Sequence, residues 1–350
     1  MNRINIFGST SYNVVIDKGI TDRLGTLLRD EIGGIRAMIV SDSTVASLYL
    51  GSILSSLRDA GYETSSITLS GGEAIKSLEN FELIVNALAE KEFSRADLLI
   101  ALGGGTVGDL AGFSASAFKR GMKLVQVPTT LLAMVDSSIG GKTAINLPSA
   151  KNQIGSFYNP SMVVCDPDLL SSLPHENLLD GYAEIIKYGI LNGMEIIDAL
   201  RSARDTGDYS NVIALSVNAK KELVEADEKD SMFRQFLNLG HLIGHAIESA
   251  LDYTISHGHA VAIGLSLEAK ACALSGLTSF NCYNSINDIL EEFGFDITES
   301  YSFELLLPYI HKDKRITDDN IKLIVPVSIG ECVMRNMSIP ELDSVLKLAL

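Results

Sequence analysis

The feature that most constrains the fold is an alternation of short β-rich runs with helical stretches along the first half of the chain. Four apolar runs have the composition of buried strands: residues 37–40 (AMIV), 66–69 (SITL), 98–102 (LLIAL) and 124–127 (LVQV). Apolar residues recur with helical spacing between them, as at Leu78, Phe81, Val85 and Leu88. The alternation predicts a parallel sheet with crossover helices, a Rossmann-like variant of the α/β fold, which binds ligands beyond the carboxyl ends of its strands.

The second half of the chain has a different pattern, because strand-like runs become rare after about residue 170. Helical spacing of apolar residues continues over five segments: residues 181–191, 213–228, 240–251, 259–274 and 286–293. One late apolar run, residues 321–327, predicts a short strand, and the Pro-, Asp- and Ser-rich stretch 158–176 predicts a joint. We therefore expect an α/β domain over residues 1–172 and a mostly α-helical domain over residues 173–350.

Composition and charge exclude several classes of protein. Hydrophobic residues make up 46% of the chain and charged residues 21%, which is typical of a globular protein. The net charge of −16 argues against binding to nucleic acid or to an anionic membrane surface, since both need clustered Lys and Arg. The four cysteines are scattered without a CxxC pair, and neither an export signal nor a membrane-spanning apolar run is visible. We expect a cytoplasmic protein with reduced thiols.

A glycine-rich turn follows the LLIAL run directly and opens a helical stretch. Its sequence, residues 103–109 (GGGTVGD), satisfies the pattern G-x-G-x-x-G, in which backbone N–H groups approach a pyrophosphate at a helix N-terminus. A tight packing turn is the simpler reading of a lone match. The next strand ends in Pro128, Thr129 and Thr130 rather than in the acid of an ordinary Rossmann motif, whereas Asp42 ends an earlier strand. With Glu73 and Lys76 near, the turn predicts dinucleotide binding by a variant arrangement.

The segment 127–155 is predicted to be a long polar loop, and loops of this length inside domains are usually functional. Its run GGKT resembles a P-loop, but the upstream glycine at the required spacing is absent, so nucleoside triphosphate binding is excluded. The loop carries Asp136, Lys142, Lys151 and Asn152 among glycines. Two lysines and an amide in a flexible loop indicate a site for a phosphate or a carboxylate. A solvated surface loop is the alternative.

Histidine is rare in this chain, yet four of its six histidines fall within residues 234–259. His241 and His245 are four residues apart in a helical pattern and therefore share one face, a geometry that can bind zinc. Glu184 lies on a largely apolar helix with Lys187 one turn along, where a carboxylate is costly to bury unless it is paired or liganded. The pattern predicts a metal site. Spacing leaves open whether the further ligand nitrogen comes from His245 or His257.

These motifs together resemble those of the 3-dehydroquinate synthases. The likeness runs nearly from end to end through ordered segments, which makes it far more specific than any single motif. The segments are GGGTVGD, KRG at 119–121, VPTTLLAMVDSSIGGKTAIN, KNQIGSFYNP, GYAEIIKYG, KKELVEADE, RQFLNLGHLIGHAIE, HGHAVAIG and DKR at 313–315.

The resemblance implies NAD and a divalent cation, zinc or cobalt, as cofactors. It implies an NAD-binding first domain, with the metal on Glu184, His241 and His257 in the second. The implied NAD-binding residues are Asp42, Glu73, Lys76, Gly105, Thr106, Val107, Gly108, Asp109, Thr129, Thr130, Lys142, Lys151, Leu169, Leu170, Ser171 and Ser172. The implied substrate contacts are Asp136, Lys142, Lys151, Asn152, Lys187, Lys220, Arg234, Asn238, His245 and Lys314, with Arg120 reaching the phosphate across the interface of a homodimer.

The reaction implied by the resemblance belongs to the shikimate pathway of aromatic amino acid biosynthesis. It converts 3-deoxy-D-arabino-heptulosonate 7-phosphate to 3-dehydroquinate and phosphate through transient oxidation by NAD, β-elimination of phosphate, re-reduction and an internal aldol closure. His245 is our candidate for a proton relay. The alternatives are a related sugar-phosphate cyclase with another substrate, a glycerol dehydrogenase-like oxidoreductase that uses NAD and zinc, and a catalytically silent binding protein.

Four positions depart from the family pattern, and none of them belongs to the implied ligand set. His175 stands where Arg is usual, Met232 where Gly is common, His259 where Glu is usual, and Arg315 where a second Lys is usual. These departures bear on turnover and on the exact substrate rather than on the class of reaction.

Overall fold

In the computed structural model, which describes residues 1–148, 150–230, 232–298 and 301–350, the chain divides into two units. The first, Met1–Pro174, is built on a large sheet and is called the sheet unit below. The second, His175–Leu350, consists mainly of helices and is called the helical unit. The predicted fold class, an α/β part followed by a mostly helical part, is confirmed.

The described residues of the sheet unit form nine strands. They are β1 (Asn2–Ile6), β2 (Tyr12–Ile16), β3 (Arg36–Asp42), β4 (Glu63–Leu69), β5 (Leu98–Gly103), β6 (Lys123–Pro128), β7 (Lys142–Leu147), β8 (Ala150–Phe157) and β9 (Met162–Cys165). Seven of them form one sheet in the order β1-β2-β9-β6-β5-β3-β4, and only the β1–β2 pair is antiparallel. The carboxyl ends of the parallel strands therefore meet at one edge, where the predicted nucleotide-binding turns follow.

Helices cover both faces of this sheet, which explains why its central strands read as continuous apolar runs. The helices are α1 (Leu24–Glu31), α2 (Ser43–Val45), α3 (Gly51–Asp59), α4 (Leu78–Glu90) and α5 (Gly105–Ala117). In β5, Leu98 and Ile100 pack in one apolar cluster with residues of α1 and α3. Leu99 and Ala101 pack in the opposite cluster with residues of α4 and α5. Alternate residues of one strand thus serve two separate cores.

The segment predicted to be a long loop, residues 127–155, is largely regular, and that prediction was wrong. A helical turn, Ala133–Ser137, follows β6, and strands β7 and β8 then form an antiparallel hairpin. The hairpin was hidden because its strands mix polar and small residues, and only Thr143 and Ile145 of β7 are fully buried. The hairpin packs against α5 through Thr143. Gly112 of α5 allows this close packing, since a Cβ at Gly112 would lie 2.5 Å from Cγ2 of Thr143.

The stretch predicted to be a joint, residues 158–176, also contains regular structure. Strand β9 lies inside it and pairs with both β2 and β6 in the middle of the sheet, and a 3₁₀ helix, Pro167–Ser172, follows. The sequence did not indicate this strand, because it has only four residues and the Pro and Asp residues that flank it are typical of loops. Strands β1 and β2 were missed as well.

The helical unit contains eight α-helices and one β-hairpin in its described residues. They are α6 (His175–Asn192), α7 (Met194–Thr206), α8 (Ser210–Ala226), α9 (His241–Ala250), α10 (His257–Leu274), α11 (Phe280–Glu292), α12 (Phe303–Ile310), β10 (Asn320–Ser328), β11 (Glu331–Ser338) and α13 (Ile339–Leu346). The predicted late strand is β10, and β11 is its unpredicted partner. Residues of α9, α10, α12 and the hairpin share one apolar core. A 3₁₀ helix, Phe233–Asn238, leads into α9.

All four cysteines are free, and burial raises the pKa of Cys272 to about 12, which disfavours the reactive thiolate form of this side chain. Among the described residues, none of the helices has both the length and the apolar character that a bilayer crossing requires.

Candidate active site

Three side chains that are distant in sequence converge in the helical unit. Glu184 lies in the middle of α6, whereas His241 and His257 are the first residues of α9 and α10. Oε1 of Glu184 is 3.3 Å from Nε2 of His241 and 3.7 Å from Nε2 of His257. The three ligand atoms all lie within 4.8 Å of one another, close enough to contact one cation. The packing of these three helices therefore brings together residues whose proximity could not be seen from their spacing in the sequence.

The close packing of α10 on α6 brings His257 to Glu184. A Cβ at Gly258 would lie 2.3 Å from Cα of Asp180, so only glycine permits this approach. Asp180 accepts hydrogen bonds from the backbone N–H of Gly258 at 3.0 Å and from the hydroxyl of Ser256. These contacts cap the start of α10 and fix its first residue.

Glu184 is 1% exposed, and its two carboxylate oxygens have different surroundings. Oε2 accepts a hydrogen bond from the ammonium of Lys187, which is also 1% exposed. Oε1 has no hydrogen-bond partner among the described residues. Burial opposes ionisation, but Lys187 and His241 hold the pKa of Glu184 well below its usual value. A buried, ionised oxygen that faces two imidazoles is the environment expected of a metal ligand.

His241 and His257 each have a hydrogen-bond acceptor at Nδ1, and the Nε2 atom of each ring faces Glu184. Nδ1 of His241 is 3.0 Å from the carbonyl oxygen of Leu239, and Nδ1 of His257 is 3.2 Å from Oε2 of Glu248. Hydrogen bonds of this kind fix the tautomer and the ring orientation of metal-binding histidines. Desolvation lowers the pKa of His257, but Glu184 and Glu248 outweigh it and raise the pKa to about 10. The position between these carboxylates thus favours positive charge, as a divalent cation requires.

His245 is the competing ligand that spacing left open. It forms a second group with Glu248 and His257, whose ligand atoms also lie within 4.8 Å of one another. Two observations favour the first group. Glu248 already faces Nδ1 of His257, and the oxygen without a partner belongs to Glu184. The ring of His245 lies 5.2 Å from that of His241, so its side chain borders the cluster.

The other expected substrate contacts of the helical unit differ in exposure. Lys220 of α8 and Arg234 are buried, Asn238 is half-buried, and Lys314 is exposed. Arg234 donates to the backbone carbonyl of Glu228 at 2.9 Å, which orients its guanidinium. A buried ammonium or guanidinium group suits the recognition of a carboxylate or phosphate.

The positions that depart from the family pattern have ordinary surroundings. His175 is the exposed first residue of α6, and Met232 is exposed at the N-cap of the 3₁₀ helix Phe233–Asn238. Nδ1 of His259 lies 3.5 Å from Asp180. Arg315 forms an ion pair with Asp313. None of these residues takes the place of a predicted metal ligand.

In the sheet unit, the glycine turn forms the N-terminus of α5 as predicted. A Cβ at Gly105 would lie 2.7 Å from Oγ of Ser137, and one at Gly108 would lie 2.8 Å from Oε1 of Gln126. Close packing thus explains two of the glycines. The hydroxyl oxygens of Thr129 and Ser137 are buried near this turn and have no hydrogen-bond partner among the described residues. Two hydroxyls of this kind at a helix N-terminus fit a polar ligand such as the pyrophosphate of NAD.

Lys76 joins several of the predicted cofactor and substrate residues. Its ammonium, on a side chain that is 4% exposed, donates to Oδ2 of Asp109 at 2.7 Å and to Oδ1 of Asn152. Asn146 completes the network, since it donates to Glu73 at 2.7 Å and accepts from the backbone N–H of Asn152 at 2.8 Å. The network connects the start of α5 with the β7–β8 hairpin. It also holds Asn152 in a left-handed conformation, with a φ of 56°.

Other expected NAD-binding residues lie at the carboxyl edge of the same sheet. Asp42 ends β3 and accepts from the backbone N–H groups of Thr44 and Val45 at 2.9 and 3.0 Å. The backbone N–H of Thr129 donates to the carbonyl oxygen of Gly103 at 3.0 Å. The 3₁₀ helix with Leu169, Leu170, Ser171 and Ser172 follows β9, and its Leu169 carbonyl accepts from the hydroxyl of Tyr49 at 3.1 Å. Together with Gly105–Asp109 and Thr130, these residues border one edge, as expected of a ligand site.

The residues expected near the substrate phosphate fall into two groups. Asp136 lies on the helical turn after β6, and Lys142, Lys151 and Asn152 lie on the β7–β8 hairpin. Arg120 lies far from the glycine turn. It follows the last turn of α5, about 20 Å from the glycine turn along the helix axis. Its backbone is left-handed, with a φ of 64°. The structure therefore does not bring Arg120 to the carboxyl edge of its own sheet.

Several residues that support the site were not predicted from the sequence. Asp180, Glu248 and Glu268 are buried acids on largely apolar helices, and each contacts His257 itself or a backbone N–H group close to His241 or His257 in the chain. Glu248 lies within the histidine-rich segment 234–259. An acid on an apolar helix face was the signal that could have identified all three.

Comparison with known proteins gives a consistent result across the chain. The family model described as 3-dehydroquinate synthase N-terminal matches residues 66–180, and the one described as 3-dehydroquinate synthase C-terminal matches residues 181–316. The 3-dehydroquinate synthase of Enterococcus faecalis is 39% identical over 342 residues, which cover 96% of each protein. The 3-dehydroquinate synthase of Vibrio atlanticus is 40% identical over 340 residues, 94% of each protein.

Solved structures show the same fold. A 2-deoxy-scyllo-inosose synthase complexed with carbaglucose-6-phosphate, NAD⁺ and Co²⁺ superposes with a TM-score of 0.87 at 24% identity, covering 100% of both chains. The 2-epi-5-epi-valiolone synthase of Streptomyces hygroscopicus, with NAD⁺ and Zn²⁺ bound, has a TM-score of 0.87 at 25% identity over 99% of both chains. A glycerol dehydrogenase of Schizosaccharomyces pombe is more distant, with a TM-score of 0.61 at 15% identity over 96% of this chain and 88% of its own. Since both family models and relatives spanning nearly the whole chain agree, this chain belongs to the 3-dehydroquinate synthase family.

Proposed function

We propose that the protein converts 3-deoxy-D-arabino-heptulosonate 7-phosphate to 3-dehydroquinate and phosphate, a carbon–oxygen lyase reaction of the shikimate pathway. The observation that carries the proposal is the Glu184–His241–His257 cluster, which occurs in a chain about 40% identical to named 3-dehydroquinate synthases over nearly its whole length. Relatives with other substrates are less similar, at 24–25% identity for the two cyclases and 15% for the glycerol dehydrogenase. The alternatives are therefore not favoured.

NAD and a divalent cation, zinc or cobalt, are the cofactors of the proposed reaction. When bound, NAD supplies a reversible hydride acceptor and the cation supplies a Lewis acid. Glu184, His241 and His257 would hold the cation through Oε1 and the two Nε2 atoms. Asp42, Lys76, the turn Gly105–Asp109 and the hydroxyl of Thr129 would hold NAD.

The helical unit would orient the substrate with its buried cations. Lys187 keeps Glu184 ionised through one of its three N–H donors, and the others suit a hydroxyl or a carboxylate of the substrate. Lys220, Arg234 and Asn238 would hold the carboxylate and hydroxyls, because paired donors fix a planar anion in one orientation. Lys314 would approach the phosphate. His245 would move a proton at a ring nitrogen beside the metal-binding cluster.

The sheet unit would bind the phosphate with Lys142, Lys151 and Asn152, beside Asp136. Asn152 is already fixed by Lys76 and Asn146, so its amide would bind the phosphate without the cost of ordering a mobile side chain. Charge-assisted hydrogen bonds from these residues would stabilise the departing phosphate.

We also propose that the protein is a cytoplasmic homodimer in which Arg120 serves the site of the partner subunit. The position of Arg120 at the far end of α5 supports a contribution to another copy of the chain. A mixture of Arg120→Ala and Lys142→Ala proteins, unfolded and refolded together, should recover phosphate release that neither variant shows alone. No recovery in the mixture would contradict a shared site.

The proposed activity is tested by incubating the protein with the heptulosonate phosphate, NAD and Zn²⁺ while phosphate and NADH are measured together. Phosphate release without lasting NADH is expected, because the hydride returns to the substrate. Lasting NADH without phosphate would indicate a dehydrogenase, and the absence of both products would indicate a silent binding protein. Phosphate release from glucose 6-phosphate instead would indicate a cyclase of different specificity.

A further inference from the structure

The N-terminus of α9 carries His241 but has no side chain of its own to cap it. Its N-cap is Gly240, whose φ of 77° lies in the left-handed region. A Cβ at Gly240 would lie 2.7 Å from Cγ and 3.0 Å from the backbone nitrogen of Leu265 on α10. The Ser, Thr, Asp or Asn that usually caps a helix therefore cannot stand at this position. The first N–H groups of α9 need an acceptor from elsewhere.

Glu268 of α10 supplies that acceptor. Its Oε2 accepts from the backbone N–H of Gly240 at 2.9 Å. Its Oε1 accepts from Leu242 at 3.0 Å and from Ile243 at 3.1 Å. One carboxylate thus bonds to the N-cap and to the second and third residues of α9. Two of these three donors are the immediate neighbours of His241.

The close approach of the two helices gives Glu268 its reach. A Cβ at Gly264, one turn before Glu268, would lie 2.0 Å from the carbonyl oxygen of Gly240, so the helices touch through backbone atoms here. Glu268 is 1% exposed, although a buried carboxylate is costly to desolvate. Its position at a helix N-terminus offsets part of that cost, since the N–H groups and the helix dipole both favour negative charge.

We propose that Glu268 is a positioning residue for the metal centre, which fixes the start of α9 so that Nε2 of His241 faces Glu184. The chain of contacts is short, because the ring of His241 is held by the carbonyl of Leu239, and the backbone on both sides of the ring is held by Glu268. Glu268 contacts neither the metal ligand atoms nor the substrate residues in these interactions. The inference rests on the proposed function, since it takes Glu184, His241 and His257 as the ligands.

The test compares Co²⁺ binding by the metal-free wild-type protein and by Glu268→Gln. Glutamine has the same size but only one acceptor oxygen. Either the backbone N–H of Gly240 or those of Leu242 and Ile243 would therefore lose their acceptor and face the amide N–H₂ group, which is itself a donor. We expect a 10- to 100-fold lower affinity for Co²⁺, the range typical of residues that support metal ligands, and a changed visible absorption spectrum of the bound Co²⁺. The titration is run above the Glu268 pKa of about 7, where the wild-type carboxylate is ionised.

Asp97→Asn is the matched control. Asp97 is 4% exposed and likewise accepts from backbone N–H groups, those of Ile35, Arg36 and Ser94, but it lies in the sheet unit before β5. This variant should lose thermal stability while its Co²⁺ affinity and spectrum remain those of the wild type. A purely structural role of Glu268 would make the two variants behave alike.

Each remaining outcome supports or overturns the proposal. Wild-type affinity and spectrum in a folded Glu268→Gln protein would overturn it. If that variant does not fold, Glu268→Asp keeps the charge with a shorter reach, and lower affinity supports the proposal whereas wild-type affinity overturns it. Failure of both variants to fold with Co²⁺ present would make Glu268 a folding residue and would also overturn it. If wild-type protein itself binds no Co²⁺, the ligand set of the proposed function fails instead.

Discussion

The two units hold buried charges in different ways. In the sheet unit, the ammonium of Lys76 is bonded to Asp109 and Asn152 by the protein alone. In the helical unit, Glu184 is as deeply buried, but its Oε1 has no hydrogen-bond partner among the described residues and faces two imidazoles. A satisfied network keeps its shape without a ligand, whereas a buried oxygen without a hydrogen-bond partner costs free energy that a bound cation would offset. The comparison indicates that ligand removal should perturb the helical unit more.

The largest effect is expected from removing a metal ligand. His257→Ala should lose bound metal, and because a Lewis acid contributes several kcal/mol to the reaction, phosphate release should fall on the order of 10³-fold. The control is His245→Ala, which removes an imidazole beside the same cluster and should keep the metal while lowering the rate. Metal per chain is measured by elemental analysis. Equal metal loss from both variants would refute the ligand assignment.

A smaller and more selective effect is expected in the sheet unit. Lys76→Met removes a charged donor worth about 1.5–3 kcal/mol, which corresponds to a roughly 10- to 100-fold weaker affinity for NAD. Metal content should not change. Lys91→Met, at an exposed lysine after α4, is the control and should bind NAD normally. The comparison between the units breaks down if Lys76→Met also loses its metal.

The smallest effect is a difference in the pH dependence of stability. Burial raises the pKa of Glu268 to about 7, above its usual 4.5, although backbone N–H groups oppose the shift. Desolvation acts in the same direction on Asp97, but the N–H groups of Ser94 and Arg36 prevail and lower its pKa below 3.8. The folded state therefore binds a proton at Glu268 more tightly than the unfolded state does. This adds to the free energy of unfolding in full below pH 4.5, and the addition is lost as the pH rises to about 7. The contribution of Asp97 is present above pH 3.8 and is lost only as the pH falls through its lowered pKa.

Urea unfolding of the metal-free protein between pH 4.5 and 7 measures this difference. The free energy of unfolding of the wild type, relative to Glu268→Gln, should decrease by up to about 3 kcal/mol over this range. Relative to Asp97→Asn it should stay constant. A constant difference for both variants would mean that the three backbone N–H groups outweigh burial at Glu268 as well.

Much of the sheet unit could be predicted from local patterns. The central strands are apolar on both faces, and the glycine turn follows β5 directly, so composition and order were sufficient. The β7–β8 hairpin could not be predicted in the same way. Most residues of its strands are exposed or half-buried, and it is held by Gly112 of α5 and by the Lys76 network, which are distant in sequence.

The proposed metal centre shows the same division between what could and could not be predicted. The crowding of histidines and the acid on an apolar helix predicted a metal site, and the ordered motifs indicated the family. Spacing could not choose between His245 and His257, because the choice depends on where α10 begins relative to α6. Gly258 sets that position by its contact with Asp180.

The sequence by itself determined a parallel sheet followed by helices and membership of an enzyme family, and it indicated the residue types of both proposed ligand sites. These features depend on local composition and on the order of motifs along the chain. Only the tertiary structure decided which nitrogen of each histidine faces Glu184, which oxygen of Glu184 lacks a partner, and that Glu268 caps the helix carrying His241. The physical reason is that these facts depend on backbone contacts between helices through Gly240, Gly258 and Gly264, and no local pattern encodes the distance between two helices.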